Sequence, residues 1–209
     1  VLRNCETCHV PGGYDYSLGV KADGTVVVLG AFGWHVAGPN ADFTAAAAGA
    51  LHNLGLRSDG MIVGWGDNAY GQCNVPAPNA DFTAVAVGDW HSLGLRFDGA
   101  IAAWGVNLDG QCDVPVPNAG FVAVAAGSLH SLGLKSSGSI VAWGQNGNNQ
   151  CAVPAPNTDF TAMAAGGWHS LGLKSDGTIV AWGNNAYGQC NVPAPNADFV
   201  AVAGGQDHS

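Results

Sequence analysis

The sequence predicts an all-β fold, a β-propeller of four-stranded antiparallel blades built from about five repeats of ~39 residues. Three observations carry that expectation. The phrase His-Asn-Leu-Gly-Leu at His52 returns as His-Ser-Leu-Gly-Leu at His91, His130 and His169, and begins again at His208, always in steps of 39. Trp-Gly recurs at Trp65, Trp104, Trp143 and Trp182, and a phenylalanine at Phe43, Phe82, Phe121, Phe160 and Phe199, with the same step. Within each unit apolar residues alternate with a period of two, and Gly, Asp, Asn and Pro punctuate the runs. No 3.6-residue apolar period occurs, which excludes a helical repeat.

Residues 1–13 read as an N-terminal segment in which 4–12 form an imperfect inner strand interrupted by Pro11. Residues 14–209 read as a single propeller domain. Its first unit carries an early copy of the motif, Ser17-Leu18-Gly19-Val20, three residues short of the common step. The unit from Asp81 to Asn118 shows the full pattern. Residues 82–88 alternate small and branched side chains, as an inner strand crowded near an axis requires. A turn at Asp89-Trp90 leads into a second strand, His91–Arg96. Asp98-Gly99 closes a hairpin, since both residue types tolerate positive φ. A third strand covers 100–105. Asn107-Leu108-Asp109-Gly110 turns the chain toward a fourth strand, Gln111–Pro115, whose prolines suit an outer edge with no ladder donor. The last inner strand, 198–204, is expected to complete the first blade and close a monomeric ring of five, leaving no exposed edge.

Composition narrows the function. Only 10% of residues are charged, with 6 Lys+Arg against 15 Asp+Glu and a net charge of −9. Phosphate backbones bind basic patches, so nucleic acid is not the expected partner. No apolar run approaches the ~20 residues that span a bilayer as a helix, so no membrane partner is expected either. Localisation is left open.

Gly-x-x-His-Ser-Leu-Gly-Leu-Lys/Arg-x-Asp-Gly, then Val-Ala-Trp-Gly, then Gly-Gln, resembles the regulator-of-chromosome-condensation repeat family over nearly the whole chain. The further Val-Pro-Ala is most similar to the bacterial branch that includes β-lactamase-inhibitory protein II. The resemblance implies a propeller and inhibitor-like or scaffold-like protein binding. It carries over no inhibitory contact residue by residue.

Catalytic and metal-binding readings are weaker. Cys5, Cys8 and His9 match the attachment motif of c-type haem, but no cytochrome domain fits before Gly13, and an ordinary terminal segment is expected. Cys73, Cys112, Cys151 and Cys190 recur on successive blades, too far apart for disulfides, and read as small buried hydrophobes. The repeated histidines read as hydrogen-bonding to a neighbouring backbone rather than converging on a metal. Asp23, Asp59, Asp98 and Asp176 read as turn formers. No catalytic set stands out, so neither an enzyme nor a cofactor is expected. The alternative is a propeller enzyme or a redox or metal module using Cys5-x-x-Cys8-His9 or the ring histidines.

The turns vary while the framework repeats. The turn before the second strand carries Tyr14 and Tyr16, then Leu51, Trp90, Leu129 and Trp168. The turn after the third carries Trp34, Tyr70, Leu108 and Tyr187. In an up-and-down blade these two turns share one face. Aromatic anchors with an acidic rim mark protein-binding patches, so these ten residues are the candidate partner-binding set. The opposite face, with near-identical Asp-Gly and Pro-Asn-Ala-Asp turns, reads as scaffold.

Overall fold

Why the chain folds in units of one repeat is visible in its strand ladders. The structure is a computed structural model that describes residues 16–30, 36 and 38–209. Among these, β1 (Tyr16–Val20) pairs with β2 (Val26–Gly30), and four three-stranded antiparallel sheets follow. They are β3 (Phe43–Ala48), β4 (His52–Arg57) and β5 (Ile62–Gly66); then β6 (Phe82–Val87), β7 (His91–Arg96) and β8 (Ile101–Gly105). Next come β9 (Phe121–Ala126), β10 (His130–Lys135) and β11 (Ile140–Gly144), and last β12 (Phe160–Ala165), β13 (His169–Lys174) and β14 (Ile179–Gly183). The middle strand lies between its sequence neighbours in every sheet, so each blade is a meander built from contacts local in sequence.

The hairpins form where the turn chemistry demands them. Asp98 accepts the Ala100 N–H at 2.9 Å, and Gly99 adopts φ 78°. Asp23, Asp59 and Asp176 accept the same bond in their own hairpins, from Thr25, Met61 and Thr178. These carboxylates therefore have the turn-forming role read from the sequence. A second repeated turn places Asp42, Asp81, Asp159 and Asp198 in the left-handed region, and Gly120 takes that place in one blade. Short polar side chains and glycine bear this conformation at least cost.

Blades lock together through large rings at the seams. Trp143 is buried, and it shares a cluster with Leu93, Leu95, Ile101 and Phe121. Those partners come from β7, β8 and β9, so the indole fills the seam between its own blade and the preceding one. Trp104 and Phe82 pack in the same way with Leu54, Leu56 and Ile62. Toward the axis the strands end at glycines because there is no room for more. A Cβ on Gly88 would come within 2.5 Å of the Gly127 carbonyl oxygen of the next blade. The inner-strand ends surround an axial cavity of about 450 Å³, lined by residues 48–50, 87–89, 126–128, 165–167 and 203–206.

Two expectations are corrected. The fourth strand does not form, and the blades are three-stranded. The segment after β8 spends its amides locally: Cys112 N–H donates to Asn107 Oδ1, Asp113 N–H to the Gly110 carbonyl, and Val114 N–H to the Cys112 carbonyl. The outward edge of β8 is satisfied instead by one side chain. Asn118 accepts the Ile101 N–H and donates to the Ile101 carbonyl, both at 2.8 Å. Asn40, Asn79, Asn157 and Asn196 bind Val26, Ile62, Ile140 and Ile179 in the same two-bond way. A side-chain amide carries the same donor and acceptor as a peptide group, so it stands in for a ladder partner at one residue.

The expected pairing of residues 198–204 with β1 is likewise not formed, for those residues carry no strand. They lie against the last blade, where Gly167 N–H donates to the Gly205 and Gln206 carbonyls. Residues 1–13, with their imperfect strand and Cys5, Cys8 and His9, fall outside the described residues.

Candidate functional site

Backbone hydrogen bonds bring the variable turns together. The first residue of each loop after the third strand donates to the turn before the second strand. Asp67 N–H reaches the Leu51 carbonyl at 2.8 Å and Val106 the Trp90 carbonyl at 2.9 Å. Gln145 reaches Leu129 and Asn184 reaches Trp168 in the same manner, both at 2.9 Å. The turns also chain around the axis: Asp89 N–H donates to the Ser128 carbonyl and Ser128 N–H to that of Gly167. Both sets of turns therefore occupy one end of the blades.

On that face Tyr70 is 61%, Tyr187 78% and Leu108 91% exposed, a heavy exposure for apolar side chains. Leu51, Trp90, Leu129 and Trp168 are half-buried in their turns. Tyr70 and Trp90 meet edge to face across a blade seam, with centroids 5.7 Å apart and planes at 86°. This geometry suits the quadrupoles of the two rings. Tyr14 and Trp34 lie outside the described residues.

Tyr16 is not a surface residue. It opens β1, is buried, and donates from its hydroxyl to the Gly49 carbonyl at 3.1 Å. Burial pushes the phenol up to about 12. Its place in the blade is that of His52, as the 36-residue offset between Leu18 and Leu54 showed. The short first repeat disguised a seam residue as a turn residue.

The histidines tie blade to blade: His52 makes the bond to a neighbouring backbone expected of it, at Asp89, and side-chain bonds join the blades as well. His52 Nε2 meets Ser92 Oγ at 2.9 Å, His91 meets Ser131 at 2.9 Å and His130 meets Ser170 at 3.0 Å. Each serine hydroxyl then donates to a glutamine carbonyl, Ser92 to Gln72, Ser131 to Gln111 and Ser170 to Gln150. The same carbonyls accept the indole N–H of Trp104, Trp143 and Trp182. Ser92, Gln72 and their equivalents were legible only as recurrences at the repeat step, because their partners sit one blade away. Burial, with Asp67 opposing it weakly, pulls His52 down to about 4. Burial and neighbouring imidazoles lower His91 to about 3 and His130 to about 4. All three are neutral near pH 7.

The repeated cysteines are half-buried free thiols, not fully buried ones. Cys73 donates to the Asp67 carbonyl and Cys112 to the Val106 carbonyl, both at 3.3 Å, so each thiol braces its loop. Burial pushes Cys73, Cys112 and Cys151 up to about 11, which leaves little thiolate for nucleophilic or redox chemistry.

The opposite face is braced by cations. Arg96 donates to the Ala80 and Pro78 carbonyls, each at 2.9 Å, and its guanidinium stands 4.4 Å from the Phe82 ring centroid. Lys135 binds the Pro117 and Ala119 carbonyls over the Phe121 ring at 3.5 Å. Every described Lys or Arg (Lys21, Arg57, Arg96, Lys135, Lys174) lies at the far end of a blade's middle strand or its hairpin, on this opposite face.

Comparison with solved structures places this architecture among known propellers. The ectodomain of the receptor kinase CR4 from Physcomitrella patens superposes with a TM-score of 0.79 at 25% identity, covering 93% of this chain and 57% of that one. Prp20p from Saccharomyces cerevisiae gives 0.77 at 18% identity, covering 92% and 65%. Human WBSCR16 gives 0.71 at 20% identity, covering 93% and 69%. The chain thus spans less than two thirds of the length of the first two. No curated protein matches the sequence. A sequence profile described as the regulator of chromosome condensation (RCC1) repeat matches residues 43–72, 82–111, 121–150 and 160–189, one match on each three-stranded blade and its following loop. With more than half of its residues in four such repeats, the chain belongs to the RCC1 repeat family.

Proposed function

We propose that this chain is a non-enzymatic, protein-binding propeller that engages its partner through the face carrying Tyr70, Trp90, Leu108, Trp168 and Tyr187. The single observation that carries the reading is the pairing of exposed Tyr70 with half-buried Trp90, two large rings held together across a seam at the surface. Aromatic residues on a rigid support lose little entropy on binding and dominate interface energetics. The repeated ladders, caps and seams supply that support. A relative offers a parallel: Prp20p is described by its binding to Gsp1p and histones. The scaffold or inhibitor mode implied by the bacterial resemblance is the form of binding that such a face would serve.

The test is a partner captured from the source organism and titrated against variants. Trp90→Ala is expected to weaken binding by 2 kcal/mol or more, roughly thirtyfold, and Trp168→Ala to weaken it measurably. Asp98→Asn, on the opposite face, is expected to leave affinity unchanged. Equal affinity for all three would reduce the aromatic turns to blade caps.

A further inference from the structure

Charge is sorted between the two ends of the blades. All five described cations stand on the hairpin end. Three of them are spent on carbonyls there (Arg96, Lys135 and Lys174), and Arg57 pairs with Asp42 at 3.5 Å. The aromatic end carries Asp67, Asp89, Asp109, Asp113 and Asp207 and, among the described residues, no Lys or Arg. The histidines below it are buried and neutral, so they contribute no compensating charge.

Within that end the acids are not spread evenly. Asp67 lies in the same loop as Tyr70, and Asp89 directly precedes Trp90 in the turn of the next blade, where its backbone bonds His52 across the seam. The corresponding loops of the next two blades read Gln145-Asn146-Gly147-Asn148 and Asn184-Asn185-Ala186-Tyr187, with no carboxylate. An exposed tyrosine, its half-buried tryptophan partner and two carboxylates therefore coincide at one seam, between the blade of β3–β5 and the blade of β6–β8.

Resting on the protein-binding reading, we infer that this seam docks an arginine- or lysine-bearing segment of the partner, its cation seated against Tyr70 and Trp90 with Asp67 and Asp89 flanking it. The two chemistries reinforce each other. A guanidinium is drawn to the face of an aromatic ring by its quadrupole, and to carboxylates by charge and paired hydrogen bonds. With no Lys or Arg among the described residues of this face, its negative potential attracts positive segments at a distance.

The probe is a twelve-residue peptide alternating arginine and glycine, titrated calorimetrically in 50 mM and 300 mM NaCl. The control peptide carries citrulline, which keeps the shape of arginine without its charge. Binding of the arginine peptide, weakened by salt and lost with citrulline, is the expected result. The double variant Asp67→Asn/Asp89→Asn is expected to lose on the order of fivefold in affinity and Trp90→Ala about tenfold. Asp59→Asn/Asp98→Asn, an equal change of charge on the other end, is expected to bind as the parent does. Equal losses in the two double variants would show general attraction to an acidic protein and overturn the inference, as would full binding by Trp90→Ala. The broader reading fails separately. A captured partner that needs Trp90 but is indifferent to Asp67→Asn/Asp89→Asn leaves protein binding standing and removes the cationic segment.

Discussion

At the scale of single residues, the fold depends on groups that satisfy two blades at once. Trp143 is the clearest case, with a buried ring in the seam and an indole N–H donating to the Gln111 carbonyl at 2.9 Å. Trp143→Ala removes both, and it is expected to cost roughly 3–5 kcal/mol in denaturant titration. A loss below about 1 kcal/mol would mean the seam does not depend on the ring. Trp90 has the same side chain but stands half-buried in a turn, so its truncation belongs to binding rather than to stability. The repeat step separates the two roles in the sequence: the Trp143 place is Trp in all four units of full length, while the Trp90 place alternates between Leu and Trp before ending as Asp207. Tyr16 shows where that logic breaks. Three missing residues move it out of register by eye, although the 36-residue offset and its hydrogen bond across the seam both return it to the histidine place.

At the scale of the element, an asparagine side chain does the work expected of a fourth strand. The two bonds from Asn118 to Ile101 close the outer edge of β8 at one residue. Asn118→Ala is expected to cost about 1–2 kcal/mol, the usual net value of two part-exposed hydrogen bonds. The same variant should speed hydrogen exchange at the Ile101 amide while leaving the amides of β7 protected. Unchanged exchange at Ile101 would show that the edge is held by something else. The Val-Pro run was legible as an edge element. Its strand character was not, because strand propensity says nothing about whether the amides find partners in a neighbour or within their own turn.

At the scale of the whole molecule, the buried histidines make stability depend on pH. His52, His91 and His130 are held neutral in the fold, with values lowered from 6.5 to about 4, about 3 and about 4. In the unfolded chain they protonate near 6.5, so below that pH the unfolded state binds more protons. Stability is thus complete above about pH 6.5 and is lost progressively as pH falls toward 4. The slope approaches ~1.4 kcal/mol per pH unit for each histidine taking part. Denaturant midpoints measured from pH 8 to pH 4 should be level at first and then fall. A midpoint that holds constant to pH 4 would contradict the burial of these rings.

The sequence alone determined the repeat, the first three strands of a full unit and their hairpins, the seam tryptophans and the family, because each depends on contacts local to one unit or on a side chain recurring at one step. Asp98-Gly99 writes its turn within four residues, and β7 begins and ends where the His-to-Arg motif does. Tertiary structure decided what spans units. The His–Ser–Gln linkage joins residues 40 and 20 apart, and neither spacing has meaning until two blades lie side by side. The pairing of Tyr70 with Trp90 and the sorting of every described cation to one end arise in the same way. Loops distant in the chain become neighbours only when the blades turn about a common axis, and the field of a surface is a sum over those neighbours.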